Sequence, residues 1–562
     1  MKFKNMVKSL ILAFVAPLLL AAPSLAQVIS RTVAPGVELL QTVDDKTPLV
    51  ISALKVAPGL PGTEIRAFVG FDRIRTEGQG SDRETVGSAI SRKGAVAGVN
   101  ADFFPWTGDP LGFTVVDGRI VSEPDSKRPA AGIFADGTAR LGIIQMSLTF
   151  DFGGGRFIKP VGVNRPVGQG ELIVKDREWG PTTGYKADFA EMVIKADWEK
   201  LTETGEVSGE IVAVHNPAID SAIPEDGIVL VAKGPRIQEM LNASRNRTTV
   251  TIKLILQDED GRSWLGVRQA AGGGSWLVKN SAVYQQGDAS GFNAAFINNR
   301  HPRTGIGITQ NGSILMLVTD GRQTISRGAT LNEMARIMMD FGCTDAINLD
   351  GGGSSTLMVR DMVINSPSDG VQRAIASGFL VHAPEFAGLS SATLEVKTPL
   401  SPLMPGQKVD LKVAVNGQDV QSPSTGQLVW GTANGGGFVD QNGRFTATRP
   451  GAPKVRAWLS GSSGEATVQV IPEPLNLATA WNTASEPSGR ILVVTATRGT
   501  ANSIAAGVDI SVKAAGVTVT PPTAKTDDKG TARFVLSIPS GVVEPPSRVE
   551  VTSEGRSMEI DW

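Results

Sequence analysis

The stretch Asp345-Ala346-Ile347-Asn348-Leu349-Asp350-Gly351-Gly352-Gly353-Ser354-Ser355 joins a short apolar run to a carboxylate, three glycines and two hydroxyls. The apolar part reads as a strand. Glycine lets the backbone turn sharply and pass close to a ligand. Successive N–H groups in such a turn form a concavity that suits an anion. The stretch therefore predicts a strand end that holds Asp350 beside an anion pocket made by Gly351, Gly352, Gly353, Ser354 and Ser355. A tight turn between two strands is the simpler reading of three glycines alone, and the flanking sequence decides against it.

Just upstream, Thr330 and Glu333 have capping-box spacing. Leu331, Met334, Ala335, Met338 and Phe341 follow as a helical stripe, and Gly342 is placed to end it. Residues 81–104 repeat this layout. Ser81 and Glu84 form a capping-box pair, Val86, Ala89 and Ile90 supply a face, and Gly94 closes the helix. A strand over 95–99 then delivers Asn100-Ala101-Asp102-Phe103-Phe104. Both units end in Asn-x-Asp. Residues i and i+2 of a strand share a face, so each Asn is expected beside its Asp.

Between the two units, Asn311-Gly312 signals a hairpin. A two-residue turn pairs Gln310 with Ser313, sets Ile306 opposite Leu317, and sets Arg303 opposite Asp320. The apolar run Ile314-Leu315-Met316-Leu317-Val318 reads as a central strand ending at Asp320-Gly321-Arg322. A right-handed parallel crossover through the 330–341 helix would put Asp320 and Asp350 on one sheet edge. That edge gathers two carboxylates, two guanidiniums and a glycine turn. Guanidiniums recognise phosphate oxygens, and paired carboxylates are the usual equipment of glycosidic cleavage. The set suits a sugar phosphodiester, whose phosphate leaves readily as an anion. A structural Arg303–Asp320 ion pair is the plainer reading of that pair alone.

With 562 residues, 41% hydrophobic and 20% charged, the chain has the composition of a multidomain globular protein. A formal charge of −2 argues against a nucleic-acid partner. Residues 1–26 read as a secretory signal: Lys2, Lys4 and Lys8, an apolar run from Leu10 to Leu20, then Ser24-Leu25-Ala26. Removing its three lysines takes the charge to −5. No second apolar run of membrane length follows. The single Cys343 excludes an internal disulfide. A periplasmic, cell-surface or secreted bacterial protein is expected. Beyond 386 helical periodicity gives way to short alternating runs. The expected fold is an α+β catalytic domain with a mixed sheet and helices over 27–385, followed by two all-β modules resembling bacterial Ig-like sandwiches at 390–472 and 475–562.

Other signals read as structure. His215, His301 and His382 are too scattered for a metal triad. Asp258-Glu259-Asp260-Gly261 and Asp527-Asp528 read as turns. Gly272-Gly273-Gly274 lacks the Lys-Ser/Thr of a phosphate loop. No cofactor is certain. Calcium or magnesium at the Asp320/Asp350 edge stays open, because clustered carboxylates suit either ion.

The motif run resembles the phosphodiester glycosidase family. It comprises Val99 to Phe104, Val163-Asn164-Arg165, Ala190-Glu191-Met192-Val193-Ile194, Gly227 to Leu230 and His301 to Gly307. It continues through Thr319-Asp320-Gly321-Arg322, Gly328 to Leu331, Asn348 to Ser355, Asn365 to Asp369 and Arg373. The resemblance spans roughly 90–382. It implies an exported hydrolase acting on a sugar-1-phosphodiester, or a related glycosidic bond, of an envelope or extracellular glycan. On that basis Asp350, Asp320 and Asp102 are the catalytic candidates. Arg303, Arg322 and Arg373 are candidates for phosphate, Asn100 for sugar hydroxyls, and Phe104 or Trp106 for stacking on a sugar. A glycan-binding envelope protein without turnover, and a surface protein dominated by its β modules, are the competing classes.

Overall fold

The computed structural model describes residues 27–74, 83–105, 108–284, 291–386, 392–420, 426–459, 461–486, 489–499, 502–540 and 547–562. The signal-like segment, Ser81 and Trp106 lie outside these residues. Among them are 43 strands but five α-helices, none longer than ten residues. The expected α+β catalytic domain is therefore corrected: the region is mostly β. The helical stripes are real but few, whereas runs such as Thr249–Asp258 bury every second residue, the signature of a strand.

The chain forms two compact units, 1–398 with 410–445 and 454–467, and 399–409 with 446–453 and 468–562. In the first, an eight-stranded sheet carries the residues of interest. Ile314–Thr319 and Cys343–Asn348 each pair antiparallel with Arg303–Thr309, which lies between them. The two outer strands thus run parallel, joined through the helix Leu331–Asp340 with its Thr330/Glu333 capping box. Asp320 and Asp350 emerge at the same edge. Along Ile314–Thr319, Ile314, Met316 and Val318 enter one apolar core. Leu315 and Leu317 enter another, against Leu331, Met334 and Met338 of the helix. Burial on both faces explains the unbroken apolar run. Truncating Leu317 to Ala would cost about 2–5 kcal/mol.

The hairpin differs from expectation by one residue. Ile306 pairs with Met316, and Arg303 pairs with Thr319 rather than Asp320. The loop has three residues. Gly312 sits at φ +81°, and Thr309 N–H donates to Ser313 O at 2.9 Å. Asn311 Oδ1 accepts from Thr309 Oγ1 at 2.6 Å, closing a local turn that the two-residue reading omits. The upstream helix starts later than expected. Thr85 caps Val86–Lys93, and Glu84 is buried in an ion pair with Arg92 at 2.8 Å.

A second eight-stranded sheet places Ala97–Asn100 between Leu357–Val359 and Ser377–His382. Through Val363 and Thr432 it extends into Val429–Thr432, Lys454–Leu459 and Ser462–Thr467. A 12-stranded sheet in the same unit is nearly closed. Its edges meet where Asn164 Nδ2 donates to Val121 O at 3.1 Å. Phe150, Trp198 and Trp264 fill its core. In the second compact unit, two sheets over 475–562 enclose Leu492, Val494, Ile510, Val512, Phe534 and Val551. Among the described residues no helix is long and apolar enough to cross a membrane.

Candidate active site

Asp350 is held by the strand that bears Asn100. Its N–H donates to Ala101 O at 2.8 Å, and its carbonyl accepts from Asn100 Nδ2 at 2.7 Å. Asn100 Oδ1 accepts from Thr304 Oγ1 at 2.8 Å and Thr356 N–H at 3.1 Å. Asn100 is therefore a buried cross-link between two sheets, and no hydrogen bond joins it to the Asp102 carboxyl. Asn348 likewise bonds Leu349 O, at 2.6 Å, rather than an Asp carboxyl.

The glycine turn works differently from the expected nest. Gly351 N–H donates to Asp350 Oδ1 at 2.8 Å, and Gly352 N–H to Pro302 O at 2.9 Å. Ser354 and Ser355 N–H groups donate to Gly351 O and Gly352 O at 3.2 and 3.3 Å. Three of the five N–H groups are thus engaged inside the turn and a fourth by Pro302. The glycines serve space instead. Gly352 sits at φ +64° under the Arg322 guanidinium, and a Cβ at Gly353 would run into the Arg373 guanidinium and the Asp369 carboxylate.

The turn floors a cavity of about 180 Å³, with Asp350, Phe296, His301, Arg303, Arg322 and Arg373 on its wall. Arg303 is fully buried. It donates through Nε to Ala329 O at 3.0 Å, and through Nη2 to Phe296 O and Asn299 O at 2.5 and 3.1 Å. Its guanidinium lies 4.6 Å from the Phe296 ring centroid. Among the described residues no carboxylate pairs with it, so the plainer Arg303–Asp320 ion pair is absent. Burial, then the charge of Arg322, lowers its pKa to about 10. Arg322 adopts φ +60° and lies 3.2 Å from His301 Nδ1. Arginine only donates, so Nδ1 accepts and the imidazole proton sits on Nε2. Burial and the two arginines hold His301 below its usual pKa, which favours this neutral ring. Arg373 is gripped by Asp369 at 2.7 and 3.0 Å.

Three carboxyls near this edge have raised pKa values. Asp350 is pushed to about 6 by burial, against the Ser354 hydroxyl, the Gly351 N–H and Arg373. It remains half-buried and faces the cavity. Asp102 is buried and accepts from Gly112 N–H at 2.6 Å and Phe103 N–H at 2.7 Å. Burial raises it to about 7; Arg128 opposes the shift and Asp350 adds to it. A Cβ at Gly272 would stand 2.5 Å from its Oδ2, so Gly272 makes room for this carboxyl. Asp320 is buried behind the cavity wall, accepting from Asn365 Nδ2 and Ser366 N–H, both at 2.8 Å. Burial lifts it to about 7.

Phe104 packs in a separate apolar cluster, with the Arg83 guanidinium 5.9 Å from its ring centroid. It does not line the cavity. Sequence reasoning passed over Phe296 and the Asp369 clamp; His301, two residues before Arg303, was weighed as a site neighbour against a plain loop histidine, and it lines the cavity. Among the described residues no three His, Cys, Asp or Glu side chains gather as metal ligands. A larger cavity, about 400 Å³, lies at the other end of the Ile314–Thr319 strand. Its three carboxylates are each engaged: Glu64 by Arg66, Asp117 by Gln269 and Asp136 by Thr138.

Residues 202–382 match the family described as phosphodiester glycosidase. This span contains Arg303, Asp320, Arg322, Asp350 and Arg373. The chain is 36% identical over 120 residues to the SPbeta prophage-derived uncharacterized protein YomE of Bacillus subtilis, covering 21% of this chain and 18% of that protein. It is 32% identical over 132 residues to N-acetylglucosamine-1-phosphodiester alpha-N-acetylglucosaminidase of Bos taurus, covering 21% of this chain and 25% of the relative. The chain thus spans a quarter or less of these curated relatives. A hypothetical protein from Synechocystis shares the fold, with a TM-score of 0.51, 19% identity, and 65% and 64% of the two chains covered.

Proposed function

We propose that this protein is a hydrolase that cleaves a sugar-1-phosphodiester in an envelope or extracellular glycan, with the cavity at Asp350 as its active site. The observation that carries the reading is Arg303: a fully buried guanidinium without a carboxylate partner among the described residues, beside Arg322 and a carboxyl of raised pKa. A buried cation without a counter-charge is unstable unless a ligand provides one. A phosphodiester brings one negative charge and oxygens that accept from guanidinium N–H groups. Arg303, Arg322 and the Nε2–H of His301 bind the phosphate and stabilise it as it departs with the bond pair from the anomeric carbon. Arg373, fixed by Asp369, holds the glycine turn. Asp350, mostly ionised at neutral pH, is the carboxylate that attacks the anomeric carbon or deprotonates the attacking water. Asp102, near half-protonated at pH 7, supplies the matching acid or electrostatic support. Asp320 positions the Asn365–Ser366 segment. The signal-like N-terminus supports export.

The test is a release assay on residues 27–562 with UDP-GlcNAc, methyl GlcNAc-1-phosphate and 4-nitrophenyl glycosides, with and without EDTA. Cleavage of the phosphodiesters alone, lost in Asp350→Asn, supports the reading. Cleavage of the neutral glycosides alone would remove the phosphate roles of Arg303 and Arg322. Loss of activity in EDTA, restored by calcium or magnesium, would bring a divalent cation into the site.

A further inference from the structure

One cation close to this edge has no part in the mechanism above. Arg128 immediately precedes the strand Pro129–Phe134. Its guanidinium lies 4.8 Å from the Phe292 ring centroid and 5.5 Å from that of Phe103. Its Nε and Nη1 are buried and have no hydrogen-bond partner among the described residues. The carboxylate paired with it, Asp125, stands back at 3.6 Å. Attraction to a ring face acts on the cation's charge. It leaves the in-plane N–H donors unsatisfied, and buried donors are normally paired.

The rings under Arg128 lead back to the cavity. Phe292 stacks on Phe296, centroids 4.2 Å apart and planes at 17°. Phe296 lines the cavity and carries Arg303 at 4.6 Å. The stacked pair therefore bears one arginine on each ring: Arg303 on Phe296 and Arg128 on Phe292. Asp102 feels the charge of both Arg128 and Asp350, which places Arg128 within electrostatic reach of the reacting groups. A structural arginine in this fold looks different. Arg165 is closed off by Glu123 and Glu171 at 2.6 and 2.7 Å.

We propose that Arg128 is a second anion-binding point, and that the substrate is a glycan bearing a second anionic group, a phosphate or a carboxylate, beyond the phosphodiester that is cleaved. The inference rests on reading the Asp350 cavity as the phosphodiester site. The stacked Phe292 and Phe296 rings lie between the two charges, and a repeating anionic polymer presents more than one charge.

The test compares three probes on the full chain: methyl GlcNAc-1-phosphate, a synthetic dimer carrying a second phosphodiester, and an analogue with glucuronate in place of the second phosphate. The wild type should favour a dianionic probe by about tenfold in kcat/KM, mainly through KM. Arg128→Gln should bring that ratio to within about twofold of one, and Arg128→Lys should recover part of it. Melting curves confirm that both variants fold. Which dianionic probe is favoured identifies the anion. A wild-type ratio near one, or a ratio unchanged in Arg128→Gln, would overturn the proposal. Should the wild type cleave no probe, the hydrolase reading fails separately and equilibrium binding decides. Tighter dianion binding that is lost in Arg128→Gln keeps the second anion point; equal binding, or none, discards it.

Discussion

Two arginines show how differently this molecule treats charge. Arg165, where the edges of the 12-stranded sheet meet, bonds Glu123 and both oxygens of Glu171 at 2.6–3.0 Å. Its carboxylate partners, Glu171 foremost, hold its pKa above the ordinary value. Arg303, at the edge of the eight-stranded sheet, is completely buried, bonds only carbonyls and is lowered to about 10. Carboxyls follow the same division. Glu191 is buried but saturated, accepting from Ser221 Oγ at 2.6 Å, from the Ser221 and Ile219 N–H groups, and from Thr183. Asp350 faces an open cavity instead. Charge that is already neutralised holds a fold together, whereas charge left in deficit requires a ligand. Both regions lie within the same motif run, so the motif alone does not separate the two uses.

The sharpest break in this comparison should come from Asp350→Asn. It is expected to lower kcat by about a thousandfold or more while leaving the melting temperature nearly unchanged. Retained turnover would remove Asp350 from the chemistry. Next, Arg303→Met and Arg165→Met should fail in opposite ways. The first should lower kcat/KM on phosphodiesters by roughly 100-fold or more. The second should keep kcat/KM within about twofold but cost about 1 kcal/mol of stability in denaturant titration. Similar kinetic losses in both would erase the distinction. Gly353→Ala comes third. Its methyl displaces the Arg373–Asp369 clamp, and a loss of about tenfold in kcat/KM is expected; full activity would show that the clamp is dispensable.

The pH effects are smaller. Activity should fall as the pH drops through about 6, where Asp350 takes up its proton. Arg373 lowers that pKa, so Arg373→Gln should move the acid limb to higher pH; a limb that stays in place would mean another group controls it. Stability has its own sign. The folded pKa of Asp102, about 7, lies above the unfolded value near 3.9, so the folded state holds this proton more tightly. Its contribution is fully present below about pH 4 and is lost as the pH rises through 7. Asp102→Asn should flatten the fall of the denaturation midpoint between pH 5 and 8. An unchanged slope would place the titration elsewhere.

Local sequence determined a good deal. The Thr330/Glu333 capping box, the strand into Asn348, the apolar central strand and the emergence of Asp320 and Asp350 at one edge all follow from short-range rules, because caps and periodicity act within a few residues. Arg303 and Arg322 were brought together by the same counting. Tertiary structure decided the rest. The hairpin register slipped by one because Asn311 bonds Thr309 across the turn. Asn100 turned out to be a cross-link between sheets, since its partners, Thr304, Thr356 and Asp350, are some 200 or more residues away. The mostly β architecture arose because sheet edges recruit strands across the whole chain, as Thr432 joins Val363. The absence of a counter-charge at Arg303 is the furthest from the sequence of all. A list of residues names the charges, but only packing determines which of them are left without water or a partner.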